Sequence, residues 1–323
     1  MRRTTLDVLV AIVLAAVTLH SFADEAARLP RIGGAVPVDQ ATDAPYQRAL
    51  REGFRQLGYV DGKNIVLVWR YANGDPAKLR ANIQELVDMR VDVLMGDARQ
   101  LKEATSTIPI VSMTMGDPVK TGLVASLAHP GGNLTGLSAQ SYDLWPKQLQ
   151  FARELVPDLR RVAFLFDTND EPDALTNSAE FRQLAREAGM TVLALPVSSL
   201  DDIQNALKTI HKERPQVVVI WSSPLLTQYR RTIMKSIGHR LPVISDGRFF
   251  AEAGALLTYS VDWPDLFRRS ATYVDKILRG AKPGDLPIEQ PRKFELGVNL
   301  QTAKALHLEV PQSILVWADK VIE

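Results

Sequence analysis

Ile108-Pro-Ile-Val-Ser-Met-Thr-Met-Gly-Asp-Pro-Val119, then Gly122-Leu-Val-Ala-Ser-Leu-Ala-His-Pro-Gly-Gly-Asn-Leu-Thr-Gly136, decides how this chain folds. The first segment is an apolar run that ends in an Asp-Pro turn. The second ends in a turn rich in glycine. A run without polar alternation is how a strand covered on both faces reads. Similar runs recur at Val91–Met95, Val162–Phe166, Val192–Leu195, Val217–Trp221 and Leu241–Ile244. Between them apolar residues return at helical spacing, as in Leu50/Phe54/Leu57, Leu79/Ile83/Leu86 and Ile203/Ala206/Leu207/Ile210. Asp75-Pro76 reads as a helix start, the Asp capping and the Pro in the first turn. Strands alternating with helices of this length build βαβ units and parallel sheets.

The pattern runs twice, from Arg31 to about Gly136 and from about Arg161 to Gly247. The sequence therefore predicts an α/β protein of two doubly wound parallel-sheet lobes joined by a hinge, a clamshell. The N-terminal lobe is read as residues 31–138 plus 259–288, and the C-terminal lobe as 139–258 plus 289–323. One long helix carrying Leu266, Phe267, Ser270, Val274 and Ile277 is closed by Arg279-Gly280. Phe294–Leu300 reads as an edge strand.

The 323 residues, 46% of them hydrophobic, can bury a large core, and length alone favours about two domains. A formal charge of +1 supplies no basic field, so no nucleic acid is expected as a partner. Arg2 and Arg3 followed by the apolar Val8–Leu19 and by Ser21-Phe-Ala23 read as a signal peptide, residues 1–23, cleaved near Ala23. With no cysteine, disulfides, thiol catalysis and a lipid-anchored N-terminus are excluded. The five histidines are scattered without metal spacing, and no nucleophile elbow or kinase signature occurs, so neither catalysis, metal nor cofactor is called for.

Glu52–Ile65, Ala104–Val111, Gly116–Val119, Pro130–Gly136, Ala271–Pro283 and Leu286–Leu296 together resemble the ABC-transporter substrate-binding proteins of the tryptophan/tyrosine-binding type. The resemblance spans nearly the whole mature chain. It implies a periplasmic-binding-protein type I fold with a ligand held between the lobes. It also implies a small-molecule ligand, an amino acid (usually an aromatic one in the family) or a related carboxylate, delivered to an ABC permease in the inner membrane. The export signal and the missing lipid-anchoring cysteine lead us to expect a mature chain free in the periplasm, as a monomer. The alternative is a ligand-sensing periplasmic module for a membrane signalling partner. Two segments depart from the family pattern. Gly96-Asp-Ala-Arg-Gln-Leu-Lys-Glu103 replaces Gly-Thr-Pro-Ala-Ala and a longer helix, and Phe166-Asp-Thr-Asn-Asp-Glu-Pro172 replaces Trp-Asn-Pro-Ala-Asn-Pro.

In open α/β sheets ligands bind just beyond the carboxyl ends of strands. That rule makes Asp117 the first candidate for a ligand ammonium, although Asp before Pro also caps turns. Thr114, Met115 and Pro118 share its position. Gly96 and Asp97 end another strand of the same lobe. Ser222 and Ser223 could donate to a carboxylate or cap the next helix. Asp246 and Tyr259 complete the predicted set. Trp69, Tyr71, Trp145 and Tyr259 are candidates to stack on an aromatic ligand, with Trp145 reading as core.

Overall fold

The structure is a computed structural model that describes residues 28–139, 144–169 and 174–323. The predicted signal peptide and the segment 170–172 lie outside the described residues, and no described helix is long and apolar enough to cross a membrane. In chain order the first half runs β1 (Arg31–Val36), α1 (Gln40–Gln56), β2 (Val66–Tyr71) and α2 (Pro76–Asp88). It continues with β3 (Val93–Met95), α3 (Ala98–Ala104), β4 (Ile110–Met115) and β5 (Leu134–Ser138). The second half begins α4 (Trp145–Leu155), β6 (Arg161–Asp167), α5 (Ala174–Glu187), β7 (Thr191–Val197) and α6 (Leu200–Glu213). Next come β8 (Val217–Ile220), α7 (Pro224–Gln228), α8 (Arg230–Ile237), β9 (Val243–Ser245) and α9 (Arg248–Glu252). The chain finishes with β10 (Leu257–Val261), α10 (Trp263–Leu278), β11 (Phe294–Asn299), α11 (Leu300–Ala305), α12 (Gln312–Trp317) and β12 (Lys320–Ile322).

Two sheets form two lobes. The first has order β2-β1-β3-β4-β5 with every pair parallel. The second, β12-β11-β10-β9-β8-β6-β7, repeats that order in β7-β6-β8-β9-β10 and then adds two strands. Its β10–β11 pair is antiparallel. Phe294–Asn299 is therefore not the edge strand the sequence predicts, because Lys320–Ile322 pairs outside it in parallel. The boundary read at 258/259 falls inside β10, whose partners are β9 and β11.

Both sheets are covered on both faces, which is why their central strands read as continuous apolar runs. In β6, Val162, Phe164 and Phe166 enter one core with Trp145 and Phe181, while Ala163 and Leu165 enter another with Ile203 and Phe250. In the first lobe, Ile32, Val93 and Val111 face Leu50, Phe54 and Val274, while Leu94 and Ile110 face Ile83 and Leu101. The helix starts follow local chemistry. Asp39, Asp75, Asp97 and Asp262 each accept a backbone N–H at the N-terminus of α1, α2, α3 and α10. The chain passes between the sheets after β5, after β10 and before β11, so α10 returns to pack its Ala271 and Val274 on the first lobe. Three such strands between two lobes make a hinge.

Candidate ligand-binding cleft

In each sheet the strand order reverses beside the first strand of its set, between β1 and β3 and between β6 and β8. A crevice opens at such a point just past the carboxyl ends. The two crevices face one another and enclose a cavity of about 290 Å³, at the small end of the roughly 300–1,000 Å³ of ligand pockets.

The first lobe lines it with Thr42, Asp43, Tyr46 and Gln47 of α1, with Trp69 of β2, and with Gly96, Asp97 and Arg99 after β3. Met113 and Met115 of β4 add to the floor, and Trp263 and Phe267 of α10 close one side. Gly96 sits at φ 151°, where a Cβ would lie 2.8 Å from the Ala35 carbonyl oxygen, so the chain can leave β3 this close to the end of β1 only as glycine. The second lobe contributes the turn Trp221–Pro224 after β8 and Asp246–Phe249 after β9.

Burial sets the electrostatics. It pushes the Asp43 carboxyl up to about 6, with Gln47 and Tyr71 beside it drawing the value part of the way back. Burial likewise lifts Asp246 to about 6 against the hydrogen bond its Oδ1 accepts from Ser222 N at 2.7 Å. Asp97 is raised by desolvation too, opposed by the Gln100 N–H it caps and by the Arg99 charge. Asp43 Oδ2 and Gln47 Nε2 have no hydrogen-bond partner among the described residues. The cations on the lining are Arg99 and Arg248, and the Arg248 guanidinium rests 5.8 Å from the Tyr46 ring and 5.7 Å from that of Phe249.

The lobes meet around this cavity. Tyr46 stacks on Phe267 of its own lobe at 4.9 Å and meets Phe249 of the other edge-on at 5.8 Å. Lys120 Nζ reaches Glu180 Oε1 of α5 at 2.6 Å. Gly74 passes so close to Gln228 of α7 that a Cβ there would collide with its side chain. This is a closed clamshell.

Of the residues read from the sequence, Gly96, Asp97, Met115, Ser222, Ser223 and Asp246 line the cavity, and so does Trp69. Ser223 is otherwise engaged, donating to Asp167 Oδ2 at 2.9 Å and capping α7 through the Leu226 N–H. Asp117 and Pro118 do not line it. The Asp117 carboxylate accepts from Val119 N and Lys120 N at 3.1 and 3.0 Å, the turn-capping geometry its Asp-Pro context favours. Thr114 lies on β4 with its side chain outside the described set. Tyr259 packs between Phe151 and Phe294 within the second lobe, away from the lining. Trp145 is core, edge-on to Phe164, Phe181 and Trp221. The α1 residues Asp43, Tyr46 and Gln47 were not among the sequence candidates. Asp39–Gln47 follows β1 as Asp97 follows β3, but the two glycines of Arg-Ile-Gly-Gly-Ala-Val keep β1 from reading as an apolar strand, so the strand-end rule has no strand to act on there.

Comparison with known proteins agrees with this architecture. A tyrosine-binding protein of Clostridioides difficile (strain R20291) is 23% identical over 283 residues, 85% of this chain and 81% of that one. The crystal structure of a conserved domain protein from Vibrio cholerae superposes with a TM-score of 0.84 at 25% identity, covering 91% of this chain and all of that one. A Streptococcus pneumonia ABC domain in complex with L-Trp superposes with the same TM-score at 24% identity and the same coverage. The fold is that of the type I periplasmic binding proteins. The family model for the ABC transporter substrate binding protein matches residues 32–322, and this chain belongs to that family.

Proposed function

We propose that the protein is an exported, monomeric solute-binding protein that captures an amino acid with an aromatic side chain and delivers it to an ABC permease in the inner membrane. The observation that carries this reading is one cavity between two lobes, with acids and cations set in an aromatic lining. A free amino acid needs an acceptor for its ammonium, donors for its carboxylate and a dry wall for its side chain. Asp246 is the ammonium acceptor in this reading, and Arg248 and Arg99 serve the carboxylate. Tyr46, Trp69, Trp263 and Phe267 provide the wall. The tyrosine-binding relative and the L-Trp complex of a structural neighbour support the ligand class. The ligand is released unchanged; its binding stabilises the closed lobes only by as much as it prefers them to the open ones.

Thermal melts against a panel of the common amino acids test this. At 100-fold excess over Kd a ligand adds about 2.7 kcal/mol of stability, so an aromatic amino acid should raise the Tm by several degrees. A panel in which only aliphatic or acidic members raise it overturns the assignment.

A further inference from the structure

Two of the crossings between the lobes run side by side. Asp262 closes one, which leads from β10 into α10, and Gln290–Lys293 forms the other, which leads into β11. The second lobe holds them together, since Val261 pairs with Phe294 and the Asp262 N–H donates to the Lys293 carbonyl at 3.0 Å. The first lobe keeps its grip as far as Glu289. The Glu289 N–H donates to the Gly136 carbonyl of β5 at 3.2 Å, and its carbonyl accepts from Ser138 N at 2.9 Å. Between these anchors lies Gln290-Pro291-Arg292, so a change in the angle between the lobes falls there and on the turn into α10.

The charges around this pivot are divided by side. The acids are fixed to the first lobe. Asp265 stands on α10, which packs Ala271 and Val274 into that lobe's core, and Glu289 is held by its backbone. Arg269 of α10 ties the two acids together, donating to Glu289 Oε2 and lying 3.5 Å from Asp265 Oδ2. The cations Arg292 and Lys293 belong to the crossing itself. Arg292 donates to the same Glu289 oxygen at 2.7 Å, and Lys293 Nζ lies 3.9 Å from Asp265 Oδ1. Rotation at Gln290–Arg292 carries both cations past acids that stay in place, so both pairs depend on the angle between the lobes. The Arg292 and Lys293 side chains are 72% and 65% exposed, which keeps their effect on folding small. The equilibrium between open and closed lobes is a finer balance than folding, and small terms move it.

We propose that Arg292 and Lys293 brace the hinge. Paired with Glu289 and Asp265, they bias the unliganded protein toward closed lobes, and rising salt releases that bias. The brace acts without ligand, so its test is independent of what the cleft binds.

Distances between spin labels on the unliganded protein test the brace. The chain has no cysteine, so Lys78→Cys on α2 and Lys235→Cys on α8 place one label on each lobe. Both positions are exposed and outside the cavity lining, near the rim where Gly74 meets Gln228. At low salt the short, closed distance should dominate. Arg292→Gln combined with Lys293→Gln should raise the ratio of open to closed about threefold to tenfold. Salt at about 1 M, which screens charges beyond about 3 Å, should open the labelled parent by a similar factor and change the double variant little. Arg292→Lys combined with Lys293→Arg keeps both charges and should match the parent. Arg279→Gln breaks an exposed pair with Asp275 at the far end of α10 and should leave the distances unchanged. A double variant with the parent's open fraction would overturn the brace. So would a parent already open at low salt, or equal opening by Arg279→Gln.

Discussion

Asp43 of α1 and Asp246 after β9 line one cavity from opposite lobes, and burial holds each carboxyl at about 6. A carboxyl whose folded pKa is raised costs stability in full above that pKa. The cost fades as pH falls toward the ordinary 3.8. The unliganded protein should therefore gain stability between pH 7 and pH 5. Over this window Asp43 should contribute about 1 kcal/mol, because the full shift, at about 1.4 kcal/mol per pKa step, is recovered only below the ordinary carboxyl value. Asp39 and Glu289 are held below their ordinary values and act in the opposite sense, but only at lower pH. Urea midpoints at the two pH values check this. Asp43→Asn should remove part of the gain, and a variant with the wild-type pH response would contradict the assignment.

Lys120 and Glu180 join the two lobes across 2.6 Å, but their side chains are 39% and 49% exposed. Exposed pairs contribute about 0–1 kcal/mol. Glu180→Gln should accordingly weaken ligand binding by about fivefold at most, and the difference should shrink in high salt. A hundredfold loss would show that this contact, and not the ligand, holds the lobes closed.

Ser223 links two elements of the second lobe. Its hydroxyl donates to the buried Asp167 and receives the Leu226 N–H at the start of α7. Ser223→Ala leaves Asp167, which burial already raises, with the Asn169 N–H but without its hydroxyl donor, and removes a cap. About 1–3 kcal/mol of stability should be lost. Denaturant unfolding with an unchanged midpoint would contradict the link.

Asp117 caps the turn after β4 and does not line the cavity. Asp117→Ala should cost about 0.5–2 kcal/mol of stability and leave ligand affinity within twofold. A tenfold loss of affinity would return Asp117 to the binding site.

Asp117 also shows where the sequence is legible and where it is not. Continuous apolar runs such as Val217–Trp221, and helical repeats such as that of α10, place the two lobes because buried parallel strands leave that mark. Strands β1, Arg-Ile-Gly-Gly-Ala-Val, and β5, Leu-Thr-Gly-Leu-Ser, were hidden by their glycines, and β2 and β10 by polar and aromatic residues within the run. The antiparallel β11 looked like an edge because β12, only Lys320–Ile322, is too short to be read. At the site, the strand-end rule finds Gly96, Asp97, Ser222 and Asp246, since strand order alone sets them there. It cannot tell a ligand contact from a cap, because both use the same short polar residues in the same turns. Which side chains of α1 reach the cavity depends on how α1 sits against α10, and no local pattern records that.

The most direct test of the account is titration calorimetry of the protein with L-tyrosine and L-tryptophan. The account predicts saturable one-to-one binding of at least one of them at micromolar concentration or tighter. It also predicts a negative heat-capacity change as the apolar cavity is filled, and a loss of at least tenfold for Asp246→Ala with its ammonium partner removed. No detectable binding of either amino acid up to millimolar concentration, by protein whose fold is intact, would contradict it.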